Sequence, residues 1–195
     1  MKGEFIVENC EKIIFLDIDG VLQGYGNGKR FERIDSVPAL QKALSDKYGV
    51  DYVACDKYDI GAVYYDWNPH AVSLIKKMLH ATGARIVISS DWRLHGLRRL
   101  KDFFRLHDLH EYVIDITGEV RFEEARARNK GPGFIDSRTF EILDYVEAHP
   151  QIKSFVAIDD MDLSVGLEGH FVKTSHLITD GQCDKCIEIL GALQE

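Results

Sequence analysis

A chain of 195 residues is long enough for one domain with a modest insertion, and it can bury a core without disulfide or metal staples. With 45% hydrophobic and 29% charged residues it falls among ordinary globular proteins, away from disordered and fibrous classes. A net charge of -8 and a pI near 5.5 argue against a chain-wide electrostatic grip on nucleic acid or anionic membrane, leaving a small or locally recognised partner.

The N-terminal MKGEFIVENCEK lacks the basic region and apolar run of a signal peptide. No stretch approaches the roughly 18 to 20 apolar residues of a membrane span. The expected setting is cytoplasmic, with no membrane partner. Residues 12–18 (KIIFLDI) form a nearly continuous apolar run rich in β-branched residues, which suits a strand buried on both faces of a parallel sheet. It runs into Asp17-Ile18-Asp19-Gly20-Val21, so two carboxylates leave the sheet two residues apart.

From about Gln23 to Trp67 the chain is polar, glycine-bearing and aromatic, with six of the eight tyrosines, and it separates the first strand from its helix. Residues 23–67 therefore read as a small cap-like insertion. Gly24, Gly26, Gly28 and Lys29 do not match G-x-x-x-x-G-K-[ST], because Arg30 stands where Ser or Thr is required. A loop leaving the first strand accounts for them better.

Asn68-Pro69 opens a predicted helix with Ala71, Leu74, Ile75, Met78 and Leu79 on one face and Gly83 at its end. A second strand at 85–89 ends in Ser89-Ser90-Asp91-Trp92-Arg93, where a hydroxyl and unpaired backbone N–H groups can hold phosphate oxygens. Arg93, Arg98, Arg99, Lys101 and Arg105 then mark a locally basic helix; a solvated face, with Leu97, Leu100 and Phe104 turned inward, is the default reading. His107 and His110 read as surface residues, without zinc-ligand spacing.

A weaker strand at 112–117 follows. Ser137 is the predicted cap of a helix running to about His149, stopped by Pro150. The fourth strand, 154–158, ends in Asp159-Asp160 with Asp162 close behind, and 170–174 is a fifth. A last helix starts near Thr179 and Asp180. It places Cys183 and Cys186 at core-facing positions, so this C-x-x-C reads as buried thiols and not as a redox or zinc motif.

Strands alternating with helices predict an α/β fold: a three-layer, Rossmann-like, doubly wound parallel sheet of about five strands, with a small insertion after the first. Ligands bind such sheets outside the carboxyl ends of the strands. Asp17, Asp19 and Asp159 all leave strand ends there. Converging carboxylates raise one another's pKa unless a cation sits among them, and oxygen-only ligands favour Mg²⁺. Taken singly, Asp160 and Asp162 read as ordinary turn aspartates.

With D-x-D-G-V at 17–21, hydroxyls at 89–90, a basic residue before a helix and an apolar run ending in Asp-Asp at 155–160, the chain resembles the haloacid dehalogenase superfamily. The segments IVISSDWR, FEILDYV, FVAIDD and FVKT resemble its capless or small-cap branch, including domains associated with RNA repair proteins. The resemblance spans nearly all of residues 1–195, read as a single domain.

It implies a Mg²⁺-dependent phosphatase in which Asp17 accepts the phosphoryl group and Asp19 serves as general acid and base. The metal would be held by Asp17, the backbone carbonyl of Asp19, and Asp159, with Asp160 beside them. The phosphate-binding hydroxyl falls on Ser89 or Ser90, with Ser89 preferred as the end of the apolar run. The basic residue is Arg138 or Lys130, with Arg138 slightly preferred for its spacing before Asp159. The substrate would be a phosphorylated small molecule or a nucleic-acid end. Phosphotransfer to another acceptor, or a non-catalytic phosphate-binding module, would use the same residues.

Overall fold

Residues 11–26, 28–129 and 135–191 are described by the computed structural model. The five apolar runs become strands β1 (Lys12–Leu16), β2 (Arg85–Ile88), β3 (Val113–Ile116), β4 (Ser154–Asp159) and β5 (Phe171–Lys173). All neighbouring pairs are parallel, and the spatial order is β3-β2-β1-β4-β5. The order reverses direction at β1, so the crevice between the ends of β1 and β4 is the topological switch point where such folds bind ligands.

Alternation along β1 separates two apolar layers. Ile14 and Leu16 enter the larger cluster with Ile75 and Met78 of α4 (Pro69–Thr82), Leu100 and Phe104 of α5 (Leu97–Arg105), and Cys183 and Cys186 of α8 (Asp180–Gly191). Ile13 and Phe15 face Ile142 and Tyr145 of α7 (Ser137–Ala148) on the other side. The result is the three-layer α/β architecture. Each fully buried aliphatic or aromatic side chain in these layers contributes about 1.5–3 kcal/mol.

Local sequence sets the helix ends. Asn68 Oδ1 accepts hydrogen bonds from the backbone N–H groups of His70 (2.8 Å) and Ala71 (3.1 Å), Pro69 occupies the first turn, and Gly83 closes α4 with φ of 71°. The cap of α7 is Asp136, not Ser137: its Oδ1 accepts from the Arg138 N–H at 2.9 Å. A carboxylate satisfies that donor more strongly than a serine hydroxyl, and Ser137 moves into the first turn.

The segment after β1 is helical in short pieces: α1 (Lys29–Glu32), α2 (Val37–Tyr48), α3 (Lys57–Gly61) and a π-helical turn at Ala62–Asp66. Between β3 and α7 lies α6 (Phe122–Arg128). Although polar in composition, residues 23–67 send Val37, Leu44, Tyr52, Ile60, Val63 and Trp67 into the same cluster as the sheet. Tyr52 is fully buried and its hydroxyl donates to the Asp102 carbonyl at 2.7 Å, stapling this segment to α5.

Cys183 and Cys186 are both fully buried, as their helical spacing implies, and burial pushes the Cys186 thiol up to about 12. His107, by contrast, is no surface residue. Its ring stacks on Trp67 with centroids 5.0 Å apart, and Nε2 lies 2.7 Å from the Val63 carbonyl. Neither His107 nor His110 belongs to a group of potential metal ligands among the described residues.

Burial lowers the His107 pKa below its ordinary value near 6.5. The unfolded chain therefore takes up a proton below about pH 6.5 that the folded chain resists, so stability falls as pH drops through that value. Urea unfolding at pH 7.5 and 5.5 checks this: His107→Gln should lose less stability between the two than the wild type does.

Candidate active site

The site is assembled by the pairing of β1 with β4. Leu16 lies opposite Ile158, and the ladder continues one step as the Asp17 N–H donates to the Ile158 carbonyl at 3.0 Å. Asp17 and Asp159 thus emerge on adjacent strand ends, both buried. On the other side the Ser89 N–H donates to the Leu16 carbonyl at 3.1 Å, bringing the serine pair alongside.

Beyond Asp17 the chain turns sharply around the Ile18 carbonyl, which accepts from the N–H groups of Val21, Leu22 and Gln23. Gly20 makes this turn with φ of 73°, and a Cβ there would sit 2.7 Å from Asp160 Cβ. Its carbonyl accepts from the Thr174 hydroxyl at 2.7 Å, and the Thr174 N–H donates to the Asp159 carbonyl at 2.9 Å. The end of β5 therefore ties the D-x-D turn to the Asp-Asp strand end.

Asp17, Asp159 and Asp160 form a carboxylate group whose oxygens lie within 4.8 Å of one another. Burial, and then the Asp17 charge, push Asp159 up to about 7. Asp17 is also raised, by burial above all, against the opposing Ser90 hydroxyl and Arg138 guanidinium. A mutually repelling, oxygen-only donor set is the chemistry that a hard divalent cation relieves, so these residues fit Mg²⁺. The Asp19 carboxylate lies outside that group: Gln23 Nε2 donates to Oδ1 at 3.0 Å and Trp92 Nε1 to Oδ2 at 2.9 Å.

Of the two serines, Ser90 is the one whose hydroxyl is near enough to Asp17 to oppose the rise in its pKa, and that hydroxyl also accepts from the Trp92 N–H at 3.4 Å. The Ser89 hydroxyl is fully buried without a hydrogen-bond partner among the described residues. Arg138 reaches the site from the first turn of α7, its Nη1 3.5 Å from Asp17 Oδ1 and 3.1 Å from Asp159 Oδ2. Lys130 lies outside the described residues.

Several neighbours escaped the sequence reading. Glu141 is buried one turn after Arg138; its Oε2 is 3.6 Å from Arg138 Nε, and its Oε1 accepts from Arg93 Nη2 at 2.8 Å and the Val120 N–H at 3.1 Å. Arg93 is not on the solvated face of a basic helix. It lies in a 3-10 turn at Asp91–His95, and its Nη1 reaches the Ser90 carbonyl at 3.3 Å. The exposed Tyr25 donates its hydroxyl to Asp160. A glutamate among the core-facing Phe140, Ile142 and Tyr145 and one turn after Arg138 was the visible signal for Glu141, while nothing local marked Tyr25.

Asp162, in contrast, is a turn residue, accepting from the Ser164 N–H at 3.1 Å and pairing with Lys173 at 3.2 Å. No described helix is long and apolar enough to cross a membrane.

Residues 13–179 match the protein family described as the HAD domain in Swiss Army Knife RNA repair proteins. No curated protein and no solved structure matches the chain.

The Gly20 geometry has a measurable consequence. Gly20→Ala combines a left-handed φ with a clash against Asp160, so it should lower the melting temperature and weaken divalent-cation binding together, as followed by calorimetry with Mg²⁺. Unchanged cation affinity would contradict the placement of Asp160 against this turn.

Proposed function

The chain belongs to the family of HAD domains in Swiss Army Knife RNA repair proteins, and from that premise we propose that it is a Mg²⁺-dependent phosphate-monoester hydrolase working through an aspartyl phosphate on Asp17. The family carries a hydrolase of phosphatase type in general terms. The finer reading rests on one observation: buried Asp17 stands between the Ser90 hydroxyl and the Arg138 guanidinium, with two further carboxylates at its side.

In this mechanism an Asp17 oxygen attacks phosphorus as the bond to the ester oxygen breaks, and Asp19 gives that oxygen its proton. Asp19 then takes a proton from water as the water oxygen attacks the phosphoryl group and the Asp17–phosphorus bond breaks. Two steps replace one harder displacement. The Trp92 and Gln23 donors hold both Asp19 oxygens in place for this acid and base work. Ser90 and Arg138 hold phosphoryl oxygens, the planar guanidinium offering paired donors.

Asp17, Asp159, Asp160 and the Asp19 backbone carbonyl would hold Mg²⁺, which when bound supplies positive charge that lets an anionic nucleophile and an anionic phosphate meet. The segment 23–67 serves as a small cap. Val37, Leu44, Tyr52, Ile60, Val63 and Trp67 anchor it in the core while Phe31, Tyr58 and Tyr64 stay exposed, and the family's association with RNA repair makes a phosphorylated nucleic-acid end the favoured substrate. Phosphotransfer to an acceptor other than water uses the same first step.

Purified protein with Mg²⁺ should hydrolyse a generic aryl phosphate. Asp17→Asn should reduce the rate by about 10³-fold or more, and Asp19→Asn by about 10²- to 10⁴-fold. Activity surviving in Asp17→Asn or in excess chelator contradicts the mechanism. A panel of phosphorylated metabolites and 3′- or 5′-phosphorylated oligonucleotides then tests the substrate class: oligonucleotide ends should give the highest kcat/KM.

A further inference from the structure

Arg138 is surrounded by four carboxylates, and their burial sorts them. Asp17, Asp159 and Glu141 expose 8%, 1% and 3% of their side chains, whereas Asp91 exposes 83%. The three buried groups are fixed by the sheet and by α7. Asp91 alone approaches from solvent, its Oδ1 3.0 Å from Nη2 of a guanidinium that is itself only 9% exposed. The nitrogens of Arg138 are therefore divided: Nη1 serves the buried aspartates, and Nη2 is closed off by a surface carboxylate.

The Asp91 side chain is not needed to form its own turn. The Ser90 side chain caps the 3-10 turn at Asp91–His95 by accepting from the Trp92 N–H, and the Arg93 N–H donates to the Ser90 carbonyl. A cavity of about 280 Å³, lined by Asp91, Arg93, Glu119, Arg138, Glu141 and Met161 among others, opens beside it. Asp91 Oδ1 also lies 3.5 Å from Arg93 Nη1, so the carboxylate can swing off Arg138 toward this space while staying paired with Arg93.

We propose that Asp91 is a placeholder anion: it occupies the outward nitrogen of Arg138 in the free protein and is displaced when a phosphate takes that position. This rests on the reading of Arg138 as the guanidinium that holds the phosphoryl group. An arriving phosphate dianion meets Asp91 as a competitor for the same donor and as a like charge at short range. Asp91 thus lowers affinity for phosphate and for any phosphate ester, and it eases release of the product phosphate. Because Asp91 is exposed, it can be exchanged at small cost, which a buried carboxylate could not be.

The test is calorimetric titration of orthophosphate, with Mg²⁺ present, into the wild type, Asp91→Asn, Asp91→Ala and Asp184→Asn, at low and high salt. Asp184 is an exposed acid paired with Lys77 on the other side of the sheet, and its change controls for net charge. Both Asp91 variants should bind orthophosphate about two- to fivefold more tightly, the gain shrinking at high salt, while Asp184→Asn matches the wild type. A merely structural role for Asp91 would weaken binding instead. Equal or weaker binding by the Asp91 variants, or no detectable binding by any form, overturns the proposal. Aryl-phosphate turnover by the wild type separates the two claims: tighter phosphate binding without turnover would keep the placeholder and sink the hydrolase.

Discussion

The pairing of β1 with β4 is the constraint on which the rest of this structure depends. Register places Asp17 and Asp159 on adjacent strand ends, both buried, where two carboxylates repel unless something positive is supplied. Arg138 supplies part of that charge from the neighbouring helix, and its own burial is outweighed by Asp159, Asp17, Asp91 and Glu141, which together raise its pKa. The cluster remains rich in negative charge, as the proposed binding of a divalent cation requires.

This arrangement explains why so much of the surrounding structure is devoted to holding chain ends still. Thr174 ties β5 to Gly20, the Asp17 N–H extends the β4 ladder, and Arg93 with Glu141 links the serine strand end to α7. None of these bonds is made by the clustered carboxylates themselves, yet each limits the distance between two segments that carry them. Asp17, Asp19 and Asp160 follow closely on strand ends and Arg138 sits in the first turn of a helix packed on the sheet, so short tethers to rigid elements hold the charged groups.

The fold was legible because buried parallel strands leave unbroken apolar runs, and the runs at 85–88 and 154–159 are hard to mistake. The nucleophile candidate and its neighbours at strand ends were legible for the same reason. Ser89 and Ser90 could not be told apart, because the side each hydroxyl faces turns on how the chain rotates on leaving β2. Asp136 displaced Ser137 as the cap of α7 since two adjacent cap-competent residues differ only in hydrogen-bond strength. Tyr25, Asp91 and Glu141 are brought to the site by tertiary contacts from separate segments, and His107 is buried by a tryptophan 40 residues away in the chain. The polar composition of 23–67 concealed the few residues that anchor it, since six well-placed side chains suffice to bury a segment in the common core.

The proposed mechanism depends above all on Asp17 as the group that receives phosphorus. Borohydride reduces an aspartyl phosphate to homoserine, so reductive trapping during turnover, followed by peptide mass spectrometry, marks the acceptor directly. The account predicts homoserine at position 17 and nowhere else, dependent on both substrate and Mg²⁺. Reduction at a different aspartate, or none while substrate is being hydrolysed, would contradict it.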